Sequence, residues 1–297
     1  MKKLSEVFKE NKITFSFELF PPKTEEGYEK LFHTIDLFAK CKPNFISVTS
    51  GAGGRFQYKM KTLQIVDYIQ RNNSVIGLPH LTCIYDSKDE IKEILERYKK
   101  HNVSNVLALR GDPPKDNPMW KPKEDNFNFS YELVKFIREN HGDNFSIGVA
   151  GFPESHPLCK NNELDAKYLK QKIEAGSDYV ITQLFFNNDD YYKYVERLKK
   201  INVNVRIIPG IFPITDYEGL QRLCQNCGTK IPDNVNAIFS EIKDDKEAVI
   251  EAGIQFATNQ CIELLKNGAP GLHFYTLNKI YPTSIILNAI KTEMGIA

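Results

Sequence analysis

Tryptophan occurs once in 297 residues, and cysteine six times without the spacing of a disulfide framework. Cys41, Cys83, Cys159, Cys224, Cys227 and Cys261 are too sparse to staple a chain of this length, so the fold must rest on an apolar core in a reducing, cytoplasmic setting. An excess of one charge is also missing. Lys and Arg total 39 against 38 Asp and Glu, which leaves nothing to attract nucleic acid and no like-charged tail. No run approaches the ~20 apolar residues of a membrane span, and Met1-Lys2-Lys3-Leu4 is not followed by the apolar stretch of a secretory leader. The expected partners are small molecules, with no nucleic acid and no membrane; a homo-oligomer is left open.

Two familiar motifs fail on inspection. Ser50-Gly51-Ala52-Gly53-Gly54 suggests a dinucleotide fingerprint, but the sixth position of G-x-G-x-x-G is Phe56 and the stretch follows a second strand, not a first. It reads instead as a loop that lets backbone approach a ligand. Cys224-Gln225-Asn226-Cys227 has C-x-x-C spacing, yet it falls late in a predicted helix with no second pair nearby, so these are expected to be reduced structural thiols.

What is present is a repeated strand ending. Val106-Leu107-Ala108-Leu109 stops at Arg110-Gly111-Asp112-Pro113-Pro114, and comparable polar endings occur in the strands predicted over Thr14–Phe20, Asn44–Thr49, Val75–Thr82, Tyr179–Phe186 and Leu272–Leu277; two further strands are predicted over Phe145–Ala150 and Val205–Phe212. Helices are predicted between them: from Glu25 to about Cys41, Gln57 to Asn72, onward from Ser87, Tyr131 to Asn140, Glu163 to Ala175, Asp189 to Lys200, Asp216 to Cys227, Lys246 to Asn267, and from Pro282. Eight strand–helix units predict a single (β/α)₈ barrel, for which about 250 residues is typical, over an open doubly wound sheet. The long polar loop from Pro113 to Asn128, which holds Trp120, is either a binding loop or a plain surface insertion.

In a barrel, Glu18, Thr49, His80, Arg110, Asp112, Gln183 and Tyr275 come from different strands yet meet at the C-terminal mouth. They form no Ser-His-Asp pattern and no metal motif, so the expectation is a cradle for an organic cofactor, with no metal. Taken in order, Phe15-Ser16-Phe17-Glu18-Leu19-Phe20-Pro21-Pro22-Lys23-Thr24, Pro79-His80-Leu81-Thr82-Cys83, Ala108-Leu109-Arg110-Gly111-Asp112, Pro153-Glu154-Ser155-His156-Pro157, Ile181-Thr182-Gln183-Leu184-Phe185-Phe186, Ile208-Pro209-Gly210-Ile211 and His273-Phe274-Tyr275-Thr276-Leu277-Asn278 resemble the signature strands of the methylenetetrahydrofolate reductase family. Seven such segments in register span nearly the whole chain.

The resemblance implies an FAD enzyme that passes a hydride from NADH or NADPH to 5,10-methylenetetrahydrofolate, giving 5-methyltetrahydrofolate for one-carbon metabolism and methionine synthesis. It is similar to the short, catalytic-barrel form, without the C-terminal regulatory domain of longer members. Glu18 matches the acid that opens the folate ring, and its apolar neighbours Phe17, Leu19 and Phe20 are expected to raise its pKa. Asp112 matches a catalytic position beside both flavin and folate. Thr49, Ser50, Ala52, His80, Arg110, Gly111, Ser130, Ala150, Phe152, His156, Asp165 and Lys172 match FAD contacts, although Asp165 and Lys172 also suit one solvated helix face. Gln183 and Lys279 match substrate contacts. Three positions depart from some members: Gly219 replaces a glutamine, Leu223 an aromatic, and Lys279 an arginine, keeping charge without the bidentate fork. Two other readings remain: a related FAD barrel with different redox partners, and a barrel that binds flavin or folate without turnover.

Overall fold

Alternation along the first strand decides what the barrel does with it. In β1 (Thr14–Leu19), Phe15, Phe17 and Leu19 pack into the layer between strands and helices, which leaves Ser16 and Glu18 on the inward face. The computed structural model describes residues 2–50, 56–114, 117 and 120–296. β2 (Phe45–Val48), β3 (Ile76–Thr82), β4 (Asn105–Leu109), β5 (Ser146–Gly151), β6 (Tyr179–Leu184), β7 (Arg206–Ile211) and β8 (Gly271–Tyr275) follow in order. Neighbours pair in parallel, and β8 returns to β1 with His273 opposite Ser16 and Tyr275 opposite Glu18, closing the (β/α)₈ barrel.

Several strands end short of the expected bounds, while β5 runs one residue past its expected end to Gly151. β6 carries a register slip against β7 between Ile181 and Leu184 and stops at Leu184, and β8 stops at Tyr275 shortly before Leu277 and Asn278 turn left-handed at φ 50° and 57°. The helices are α1 (Leu4–Glu10), α2 (Glu25–Lys40), α3 (Phe56–Asn73), α4 (Lys88–Lys100), α5 (Ser130–His141), α6 (Asn162–Glu174), α7 (Asn188–Lys200), α8 (Tyr217–Cys227), α9 (Asp233–Glu241), α10 (Lys246–Lys266) and α11 (Ile280–Met294). α4 opens with the expected capping box, Ser87 accepting from the Glu90 amide and Glu90 accepting from the Ser87 amide. Among the described residues no helix is long and apolar enough to cross a membrane.

Two helices are unexpected. α9 is nine residues long, and it adds Val235 and Phe239 to an apolar cluster with Leu184, Phe186, Phe212 and Leu220 beside the barrel mouth. α1 plugs the opposite end. Its Leu4 and Val7 join Phe45, Ile76, Leu78, Leu107, Tyr179, Ile181 and Ile208 in the barrel interior. Gly148 makes room there, since a Cβ at that position would lie 2.5 Å from the Tyr179 ring. Side chains at the feet of the strands satisfy the helix's first amides: Asn105 Oδ1 accepts from the Leu4 amide at 2.7 Å and Ser146 Oγ from the Ser5 amide at 3.1 Å. Arg206 donates to the Phe8 and Asn11 carbonyls at 3.0 and 3.1 Å and lies over the Phe8 ring. With the bottom sealed, the open end of the barrel is the C-terminal one.

Candidate active site

Glu18 stands at the end of β1 between two imidazoles. Its Oε2 is 3.3 Å from Nε2 of His80 on β3 and 3.7 Å from Nε2 of His273 on β8. The far nitrogen of His273 meets Ser16 Oγ at 2.8 Å, so a line of polar groups runs from the barrel interior to the mouth. Glu18 keeps 20% of its side chain exposed, enough to touch a ligand, whereas His273 is fully buried. The expected rise in the Glu18 pKa does not occur. Burial does push it up, but the two imidazoles beside it, His273 and His80, outweigh burial and hold the carboxyl at about 2. Burial pushes the His273 imidazole down despite the pull of Glu18. The apolar neighbours of Glu18 in sequence, Phe17 and Leu19, face the opposite side of the strand, which is why they do not set its charge state.

Ser50, at the exit of β2, donates its hydroxyl to the His80 carbonyl, and Thr49 follows β2 with its amide bonded to the Leu19 carbonyl at 2.9 Å. Ala52 lies outside the described residues. Thus the loop after β2 starts against the strands that carry Glu18 and His80.

A second group gathers over β4, β5 and α6. His156 sits among Lys172, Asp112 and Arg110, and its pKa is lowered by burial first and by the two cations next, against the pull of Asp112. Arg110 Nε donates to the Asn128 carbonyl at 2.9 Å, which ties the end of β4 to the loop that follows it. Gly111 is left-handed at φ 88°, a conformation that suits glycine. The exposed Asp112 is held through its backbone: its carbonyl accepts from Tyr85 at 2.6 Å, and the Tyr85 ring packs against Trp120. Asp165 and Lys172 are not a solvated face of α6. Asp165 is buried and accepts from the His156 amide at 3.4 Å, while Lys172 donates to the Ala150 carbonyl at 3.0 Å and lies over the Phe152 ring. Burial raises the Asp165 carboxyl and draws the Lys172 ammonium down to about 8, each only partly restored by the other. Ser130, buried, begins α5 on the same side of the sequence as the Arg110 contact at Asn128. A half-buried cation that its own site satisfies incompletely suits an anionic group.

Gln183 shares a small cleft with Phe152, Glu154, Ser155 and Cys227, which joins the second group to the far wall of the mouth. On that wall the exposed Lys279 reaches Thr215 Oγ1 at 3.3 Å, one residue before the Asp216 cap of α8. Gly219 spends its amide on that cap, donating to Asp216 Oδ2 at 2.8 Å, and Leu223 packs on the apolar cluster below. Neither Cys224 nor Cys227 is in a disulfide; Cys224 is buried, and burial pushes its pKa up to about 12, far from a reactive thiolate. The sequence reading misses Ser16 and His273 as members of the site. Their signal is the period of two, which places Ser16 with Glu18 and His273 with Tyr275 on one inward face.

The methylenetetrahydrofolate reductase family model matches residues 3–291. The chain is 40% identical over 285 residues to "Methylenetetrahydrofolate reductase (NADH) 1" of Arabidopsis thaliana, covering 93% of this chain and 48% of the relative. It is 34% identical over 288 residues to the "5,10-methylenetetrahydrofolate reductase" of Pectobacterium carotovorum subsp. carotovorum, covering 97% and 93%. The chain therefore spans about half the length of the plant relative and nearly all of the bacterial one. A Clostridium thermocellum protein described as binding two copies of 5-methyl-5,6,7,8-tetrahydrofolic acid shares the fold, with TM-score 0.66, 14% identity and 99% of each chain covered. The family match, the identities and the closed barrel agree, and the chain belongs to the methylenetetrahydrofolate reductase family.

Proposed function

We propose that the chain reduces 5,10-methylenetetrahydrofolate to 5-methyltetrahydrofolate, using FAD and a reduced nicotinamide nucleotide. The observation that carries this reading is Glu18, partly exposed between His80 and His273 at the barrel mouth. The names of the relatives support the substrate, and the plant relative's name supports NADH as the donor to try first. Lys172, with Arg110, is the choice for the pyrophosphate, while Thr49, Ser50, His80, Gly111, Ser130, Ala150, Phe152, His156 and Asp165 would line the rest; Ala52 belongs to the same proposal by resemblance alone. Bound there, FAD would supply the two-electron carrier that no side chain can provide.

The protein's own task is to orient its ligands and move one proton. Gln183 and Lys279 would bind the folate. Asp112 would place an anion near both ligands, which disfavours added negative charge on a reduced cofactor and makes it a stronger reductant. Glu18 would give a proton to a folate ring nitrogen, freeing the methylene carbon to accept hydride. Beside His80 and His273, Glu18 is held ionised, so its pKa must climb from about 2 before it can hold that proton. Burial is already the largest influence on it and opposes ionisation; a folate that expels water from the mouth strengthens that influence.

Anaerobic stopped-flow absorbance tests the reading. The FAD-loaded protein is expected to bleach with NADH and recover with methylenetetrahydrofolate. Glu18→Gln keeps the shape without the proton, so bleaching should stay near normal while recovery slows at least about 10²-fold, the scale of a lost general acid. Equal slowing of both steps would reduce Glu18 to a strand cap.

A further inference from the structure

Gln183 does not stand on regular strand. The β6–β7 register slips between Ile181 and Leu184, and the residues in the irregularity are Thr182 and Gln183. Such bulges re-aim side chains, and this one is heavily held. Thr182 Oγ1 donates to the Gln183 carbonyl and accepts from the Gly210 amide, each at 2.9 Å. The Leu184 amide donates to Gln183 Oε1 at 2.9 Å, which fixes one end of the side-chain amide.

The remaining hold comes from two strands away. Tyr275 on β8 donates its hydroxyl to the Thr182 carbonyl at 2.7 Å, reaching over β7 to do so. At the crossing β7 has Gly210, where a Cβ would lie 2.3 Å from the Thr182 carbonyl oxygen and 2.6 Å from the Tyr275 ring. The middle strand is thus bare backbone where the tyrosine must pass. The ring also meets His273 edge-on, with centroids 5.3 Å apart and an interplanar angle of 86°. Burial, with the charge of Glu18 adding to it, keeps the phenol protonated, so the hydroxyl remains a donor at any working pH.

We propose that Tyr275 is a positioning residue for Gln183, bracing the β6 bulge from β8 across Gly210. The proposal rests on Gln183 being a substrate contact, as argued above, and its test separates the two. In Tyr275→Phe the ring stays and one hydrogen bond goes. Amide hydrogen exchange should then rise at Leu184 and Gly210 and stay unchanged on β2 and β4, whatever the protein's activity. In the FAD-loaded enzyme the KM for methylenetetrahydrofolate should rise between about two- and tenfold, the range of one neutral hydrogen bond, with FAD content unchanged. If Tyr275 acts through Gln183, adding Tyr275→Phe to Gln183→Ala should cost nothing further. Unaltered exchange at the bulge overturns the brace, and additive effects in the double variant overturn the route through Gln183. A wild-type protein that ignores folate defeats the functional reading, while the exchange result still decides the brace.

Discussion

If Lys172 holds the cofactor's pyrophosphate as proposed, its charge and cofactor binding are linked. An ammonium normally titrates near 10.5, and burial lowers Lys172 to about 8. An anionic pyrophosphate beside it favours the charged form and raises that value in the complex. Below pH 8 the lysine is charged with or without ligand, and affinity for FAD should be flat. Above pH 8 the free protein loses a proton that binding must restore, so affinity should fall, approaching tenfold per pH unit. Calorimetric titration with FAD in buffers of different ionisation heat would detect the proton uptake. Lys172→Met should bind weakly with no such slope, and a slope that survives in the variant assigns the proton elsewhere. At this scale the sequence marks Glu18, His80 and Arg110 openly, because each interrupts an apolar run at a strand end. The state of Glu18 is hidden from it, since the two histidines that hold it ionised lie 62 and 255 residues away in the chain.

Among the elements, the strands and long helices are legible because they repeat their periods over enough residues, whereas α1 and α9 are not. α1 has only seven residues, and its stability comes from Asn105, Ser146 and Arg206, none of them nearby in sequence. The β6 bulge is hidden for a similar reason: its register is set by β7 and β8. In this fold the sealed end serves stability and the open end chemistry, which separates two kinds of damage. Leu4→Ala removes a fully buried side chain from the plug and should cost about 2–5 kcal/mol of unfolding free energy. Urea denaturation would measure the loss. The folded fraction should keep its FAD content and both half-reaction rates, and a selective loss of folate turnover would show that the plug communicates with the mouth.

The whole molecule is legible as eight strand–helix units, and the family follows from motifs that those units carry to one rim. The sequence does not show which polar residues on that rim face each other, because partners such as Glu18 and His273 meet only when β8 closes on β1. Closure also turns the scarcity of tryptophan into an optical property. Trp120 is the one indole in the chain, and its ring lies 4.9 Å from that of Tyr85, whose hydroxyl holds the Asp112 carbonyl. Its emission overlaps flavin absorption, so a cofactor seated between Arg110 and Lys172 should drain that light by energy transfer. Titrating flavin-free protein with FAD should dim the fluorescence to a plateau at one equivalent per chain; binding seen by absorbance without dimming would put the flavin away from this loop. The molecule carries a single lamp, one ring away from the backbone of Asp112.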